Sequence, residues 1–262
     1  MLQKLEARLE ERARLLEQVE KMLEQDERVT NAWMYGSLGK GTDDVWSDLD
    51  VWVVLEDSAY PAVEEGRRDF VRRLGEPLIW VEAPHNGPPG GTWLMSVYDA
   101  PTGPHMIDWR FQPFRSAWKP ETQRVLIDRR PLPTPEGDVP FNGTATWQPT
   151  PEQQDANRAA MFWIMTLVQG KCIARDPVAK GLTFEAFILN FVREVAEFRG
   201  ENVVIDPNHD LVDVKEKILT LQGHAAKVAE VAPEHSAPFE PVTRFLDLVL
   251  ECAYPGHCRA VY

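Results

Sequence analysis

Between Arg130 and Pro151 six prolines, at positions 131, 133, 135, 140, 149 and 151, interrupt the chain so often that neither a helix nor a central strand can run through them. A chain of 262 residues broken in this way has to build its core from material on either side. Upstream lie short β-rich runs, Thr30 to Tyr35, Leu49 to Leu55, Leu78 to Val81, Thr92 to Tyr98 and Met106 to Phe111. Turns bearing Gly and Pro, such as Asn86 to Gly91 and Ala100 to Pro104, separate them. Downstream the pattern is helical. The expected fold class is α+β: a mixed β-sheet flanked by helices over residues 1–135, a Pro-rich connection over 136–150, and a helical bundle over 151–262.

Leu2, Leu5, Leu9, Leu16, Val19 and Leu23 recur at helical spacing among Glu, Arg and Lys, which predicts an amphipathic N-terminal helix. Arg12 falls on its apolar stripe. That charge and the shortness of the run favour packing against the protein's own sheet over a coiled coil, so a monomer or weak homodimer is expected. In the second half, Thr150, Pro151 and Gln153 form a helix-start signal for a segment through Cys172. Thr183 to Arg199, Leu211 to Leu221 before Gly223, and Pro241 to Cys252 predict three more helices.

An apolar content of 44% with nine Trp is ample for a folded core. No uninterrupted apolar run reaches the roughly 20 residues a bilayer requires, and the first thirty residues lack a basic stretch followed by an apolar one, so no membrane partner and a cytoplasmic location are expected. Cys172, Cys252 and Cys258 are too sparse for a disulfide framework. Cys252, His257 and Cys258 lack the second Cys pair of a zinc site. Against 28 Lys and Arg stand 41 Asp and Glu, a net charge of −13. That excess opposes a phosphate backbone and disfavours a nucleic-acid partner, whereas it suits a cationic small molecule.

The chemistry concentrates in Tyr35-Gly36-Ser37-Leu38-Gly39-Lys40-Gly41-Thr42 and Ser47-Asp48-Leu49-Asp50-Val51-Trp52. On a strand alternate side chains share a face, so Asp48 and Asp50 point together. Two carboxylates forced close repel unless cations neutralise them, and hard oxygen ligands suit Mg²⁺ carrying triphosphate oxygens. Upstream, Gly36 lets the backbone approach a phosphate and the Ser37 hydroxyl can donate to one; Gly39 and Gly41 extend a permissive turn. In His105-Met106-Ile107-Asp108-Trp109-Arg110-Phe111, alternation sets Ile107, Trp109 and Phe111 on one side and Asp108 on the other, and an Asp on such a strand requires a partner. Asp99 stands before a Pro-Gly turn, and Asp128 precedes Arg129 and Arg130, where a local ion pair is expected.

These motifs resemble the polymerase-beta-like nucleotidyltransferase superfamily, whose signature is Gly-Ser, paired aspartates and a third carboxylate on a later strand; the resemblance makes Asp108 the candidate for that third group, with Asp99 and Asp128 as competitors. The chain is further similar to aminoglycoside adenylyltransferases of the streptomycin-modifying type. The likeness lies in the wide interval before Ile107-Asp108, in Val125-Leu126-Ile127-Asp128 leading to Pro131-Leu132-Pro133, in Phe162-Trp163 followed by Lys171, and in Ala253-Tyr254-Pro255. The resemblance implies transfer of AMP from ATP, with Mg²⁺, to a hydroxyl of an antibiotic. By it Asp48, Asp50 and Asp108 are metal ligands, Asp108 is also the catalytic base, Gly36 and Ser37 hold the triphosphate, and Lys171 reaches the phosphates. Glu82 and Glu185 are candidates for a cationic acceptor. A lincosamide, another metabolite or a protein side chain would fit the same chemistry, and a non-catalytic, antitoxin-like module would keep the fold without the transfer.

Overall fold

The computed structural model describes residues 1–118, 123–135, 141–143, 148–205, 207 and 210–253. Tyr254, Pro255, His257 and Cys258 lie outside the described residues. The fold is α+β. Its elements in chain order are α1 (Leu2–Glu24), β1 (Val29–Met34), α2 (Gly36–Lys40), β2 (Leu49–Leu55), α3 (Tyr60–Glu65), α4 (Arg67–Arg72), β3 (Ile79–Glu82), β4 (Thr92–Tyr98), β5 (His105–Pro113), β6 (Arg124–Asp128), α5 (Pro151–Arg175), α6 (Glu185–Phe198), α7 (Val214–Val231) and α8 (Phe239–Cys252). Two compact units result. A sheet unit comprises Leu9–Tyr98 and His105–Gln148, and a helical unit comprises Met1–Arg8, Asp99–Pro104 and Pro149–Tyr262.

The sheet has six strands in the order β3-β4-β5-β2-β1-β6. β2 and β5 pair in parallel; every other neighbouring pair is antiparallel. Alternation gives it two different faces. Ala32, Met34, Leu49, Val51, Val53, Leu94, Ile107, Trp109 and Phe111 join Leu16, Val19, Met22 and Leu23 of α1 and Phe70 and Val71 of α4 in the main core. The N-terminal amphipathic helix therefore packs on its own sheet. On the other face Trp33, Tyr35, Trp52, Val54 and Ala117 form a smaller aromatic cluster, joined by Phe114, Trp118 and Leu132.

Several elements differ from the pattern-based reading, among them α3 and α4, which no periodicity marks. β6 was not expected as a strand: it is an edge strand, Val125 is 57% exposed, and without a buried face there is no alternation to read. The glycine-rich turn after Tyr35 closes instead into the short helix α2, ended by Gly41 in the left-handed conformation. α7 runs through Gly223 to Val231, because burial of Ile218, Leu221, Ala225 and Val228 outweighs the roughly 1 kcal/mol that an interior glycine costs.

In the helical unit, α5 begins with a complete capping box, the Thr150 hydroxyl accepting from Gln153 N and the Gln153 side chain from Thr150 N. Arg8 donates to the carbonyls of Gly103 and Pro104 at 3.3 and 3.0 Å and lies over the Phe245 ring of α8. Among the described residues no helix is long and apolar enough to cross a membrane.

The turn from α1 into β1 is organised by Asp26, which is 7% exposed. Its carboxylate accepts from Arg28 Nε and Nη2 at 2.8 and 2.7 Å and from Arg73 Nη1 at 2.5 Å, while Arg129 donates to its carbonyl at 2.7 Å. The Arg28 guanidinium in particular holds its pKa well below the usual 3.8, in spite of burial. A depressed carboxylate contributes stability above its unfolded value and loses it as pH falls. Asp26→Asn is therefore expected to cost about 2 kcal/mol at pH 7 in denaturant titrations, and the gap to wild type narrows as the pH drops below 3.8.

Candidate active site

The carboxylates of the signature meet on the aromatic face of the sheet. β2 and β5 run side by side in parallel, and the register sets Asp50 directly opposite Asp108. Asp48 lies two residues before Asp50, one residue ahead of the strand rather than within it. Ile107, Trp109 and Phe111 turn to the opposite face and enter the main core, which leaves Asp108 on the acidic side, as alternation requires.

Asp50 is seated against Gly36. β1 ends at Met34, Tyr35 N donates to the carbonyl of Asp50 at 2.9 Å, and Gly36 then turns at φ +62° into α2. A Cβ built on Gly36 would lie 2.0 Å from Asp50 Oδ2. The missing side chain thus makes room for a carboxylate, and the positive φ independently favours glycine. Ser37 follows in the first turn of α2 and is partly buried.

Asp108 is held by two donors on one oxygen. Tyr35 Oη donates to Oδ1, and Trp93 Nε1 of β4 donates to the same atom at 2.6 Å. Arg110, two residues on and so on the same face, donates through Nε to the Tyr35 hydroxyl at 3.2 Å. Its guanidinium stacks over Phe141 at 3.7 Å from the ring centre, and Nη1 donates to the Phe141 carbonyl and Asn142 Oδ1 at 3.0 and 3.1 Å. Burial raises the pKa of Asp108 above its ordinary 3.8; the Tyr35 hydroxyl, the Arg110 charge and the Trp93 indole oppose the rise, and the Asp48 charge adds to it. Tyr35 itself is pushed up by burial and by the Asp108 charge. Half-buried, mutually repelling carboxylate oxygens are a donor set that a hard divalent cation such as Mg²⁺ fits.

Neither competitor for the third carboxylate lies on these strands. Asp99 belongs to the helical unit, where Arg244 Nη2 donates to it. Asp128 sits on β6 and accepts from Asn31 Nδ2 at 3.1 Å. The expected ion pairing of Asp128 with its neighbouring arginines is replaced: Arg129 donates to the carbonyls of Asp26 and Val29, and Arg130 pairs with Glu56 at 3.0 Å.

The remaining candidates are buried rather than solvated. Glu82, at the end of β3, faces Arg67 Nε at 3.0 Å and Arg68 Nη2 at 2.5 Å, so two of the protein's own cations already match its charge. Glu185 is 2% exposed in the first turn of α6, near His224. Lys171 is 6% exposed; α5 continues past it to Arg175, so it is not the solvated end of a helix. Both belong to the helical unit. That unit also brings Asp155, Glu234 and His235 together. Arg199 fills this cluster, donating to both Asp155 oxygens at 3.0 and 2.9 Å and to Glu234, which makes it an ion-pair staple between α5, the end of α6 and the 233–235 turn.

Sequence reasoning passed over Tyr35, Trp93 and Arg110. Tyr35 directly precedes the Gly-Ser pair and Arg110 has the strand parity of Asp108, so both left a readable signal. Trp93 did not, because its approach depends on the β4–β5 register, in which it faces Arg110.

Gly36→Ala is expected to cost about 1–3 kcal/mol in thermal or denaturant unfolding through the positive φ alone, and to displace the Asp50 carboxylate. Asp108→Asn keeps an oxygen for Tyr35 and Trp93 but removes the half-buried charge. A folded pKa above the unfolded one means that a favourable contribution present at low pH disappears as pH rises. Without metal, this variant should therefore melt higher than wild type at pH 7, on the order of 2 °C, with the difference shrinking toward pH 3.8.

No curated protein matches the chain. Residues 15–79, a stretch that contains Gly36, Ser37, Asp48 and Asp50 and the strands β1 and β2, match the family model of the nucleotidyltransferase domain. The matched stretch lies within the sheet unit and covers less than half of the chain.

Proposed function

We propose that the protein is a Mg²⁺-dependent adenylyltransferase that moves AMP from ATP to a hydroxyl of a small cationic acceptor, with an aminoglycoside of the streptomycin type as the favoured substrate. The observation that carries the reading is the pairing of Asp50 with Asp108 across adjacent parallel strands, next to the Gly36-Ser37 turn, which lies in the stretch that matches the model of the nucleotidyltransferase domain. The excess of carboxylates, a net charge of −13, supports a cationic acceptor and opposes RNA or DNA.

Asp48, Asp50 and Asp108 would hold Mg²⁺, which when bound neutralises triphosphate charge. The Ser37 hydroxyl donates to a terminal phosphate oxygen. The acceptor hydroxyl attacks the α-phosphorus in line; the new O–P bond forms as the bond to the β-phosphate oxygen breaks, and pyrophosphate leaves. Asp108 takes the hydroxyl proton. Burial makes this carboxylate a better proton acceptor than a solvated one, and the bonds from Tyr35 and Trp93 fix its orientation. Positioning supplies much of the remaining effect. Glu82, already matched by Arg67 and Arg68, is set aside as the partner of a cationic acceptor.

Pyrophosphate release should require both Mg²⁺ and streptomycin or a related aminoglycoside, tested beside a lincosamide and other hydroxyl acceptors. Release with another acceptor alone would remove the antibiotic and keep the reaction. Asp108→Asn should bind ATP with near wild-type affinity and transfer about 10²–10⁴-fold more slowly. Wild-type turnover in that variant would exclude Asp108 as the base.

A further inference from the structure

We infer that Arg12, the one charge on the apolar stripe of the N-terminal helix, is a positioning residue that holds Asp48 in place by clasping the loop from which it projects. The inference rests on the reading of Asp48 and Asp50 as metal ligands and adds to it a residue from outside the signature. Arg12 is 7% exposed. Its Nη1 donates to the carbonyl of Asp44 at 2.5 Å and to the carbonyl of Ser47 at 3.2 Å, and Nη2 donates to Asp43 Oδ2 at 2.6 Å. The Ser47 carbonyl belongs to the peptide whose nitrogen is that of Asp48. Holding it fixes the plane from which the Asp48 side chain departs.

The loop is internally braced as well. Asp44 Oδ1 accepts from Trp46 N and Ser47 Oγ at 2.9 and 3.0 Å, and Ser47 Oγ accepts from Asp44 N at 3.0 Å. That bracing makes residues 44–47 one rigid turn, and Arg12 joins this turn to α1. On the same helical turn, Glu11 Oε2 lies 3.3 Å from Nε2 of His105, the first residue of β5. Adjacent residues of α1 therefore grip the entrance to β2 and the entrance to β5, the strands that carry Asp50 and Asp108. An apolar residue at position 12 would serve the core but leave the Asp44 and Ser47 carbonyls without this donor. Only a planar guanidinium spans three acceptors from one buried position; lysine offers a single nitrogen.

The test uses the full chain without nucleotide, with Mn²⁺ binding followed by electron paramagnetic resonance and amide exchange followed by mass spectrometry. In Arg12→Met, Mn²⁺ should bind about tenfold or more weakly, and exchange at residues 44–49 should accelerate about tenfold while residues 51–55 of β2 stay protected. Arg12→Lys should fall between Met and wild type. Arg14→Ala, which changes a side chain 61% exposed on the same helix, should match wild type. If Arg12→Met does not fold, Asp43→Asn, which removes only the ion pair, should shift both readouts in the same direction by a smaller factor.

Exchange at residues 44–49 equal to wild type in Arg12→Met, or Mn²⁺ affinity equal to wild type despite faster exchange, overturns the inference. A wild-type protein that binds no Mn²⁺ removes the metal reading of Asp48 and Asp50; the exchange comparison then decides by itself whether Arg12 holds the loop.

Discussion

One parallel pairing in an otherwise antiparallel sheet governs this molecule. β2 and β5 lie side by side only because the chain leaves Leu55, builds α3, α4, β3 and β4, and returns to start β5 at the same end. Placed at the middle of the sheet, both strands are covered on both faces, and their register carries Asp50 and Asp108 to the same level. A slip of one residue would turn Asp108 toward the helices and bring Trp109 to the acidic face, so the apolar core and the acid pair enforce a single alignment.

Bringing carboxylates together inside a sheet is unfavourable, and the surroundings answer that cost locally. Gly36 clears the space that Asp50 occupies, Tyr35 and Trp93 donate to Asp108, and Arg110 adds a positive charge that also fastens Phe141 and Asn142 to this face. The Asp48 charge still acts on Asp108, and its pKa stays raised. An acidic site stabilised only in part within the fold is one that gains from binding a cation. The N-terminal helix takes part in the same arrangement: its apolar residues complete the core, and its buried Arg12 and Glu11 reach the entrances of the two central strands.

Buried charge in the helical unit follows a different logic. Asp155, Glu234 and His235 resemble a metal cluster in their spacing, yet Arg199 stands among them as a permanent cation. Lys217 is likewise buried, donating to the carbonyls of Pro177 and Ala179 and so closing the loop after α5. Proximity of acidic groups alone does not identify a metal centre; whether the protein supplies its own cation decides it.

Local patterns determined much of this protein. The period of the N-terminal helix, the capping box at Thr150 and the alternation that isolates Asp108 each involve residues close in sequence, and each is legible there. So was the Gly-Ser and Asp-x-Asp spacing, because backbone freedom and carboxylate chemistry are properties of the residues themselves. Only the tertiary structure decided that Asp50 and Asp108 would face each other, that Gly36 would make room for a carboxylate, and that β6 would add an exposed edge. It also decided that Glu82 would be claimed by Arg67 and Arg68, and that an arginine on an apolar stripe would hold a loop. Those outcomes depend on strand register and on which distant charges are buried together, and neither is encoded in any short stretch of chain.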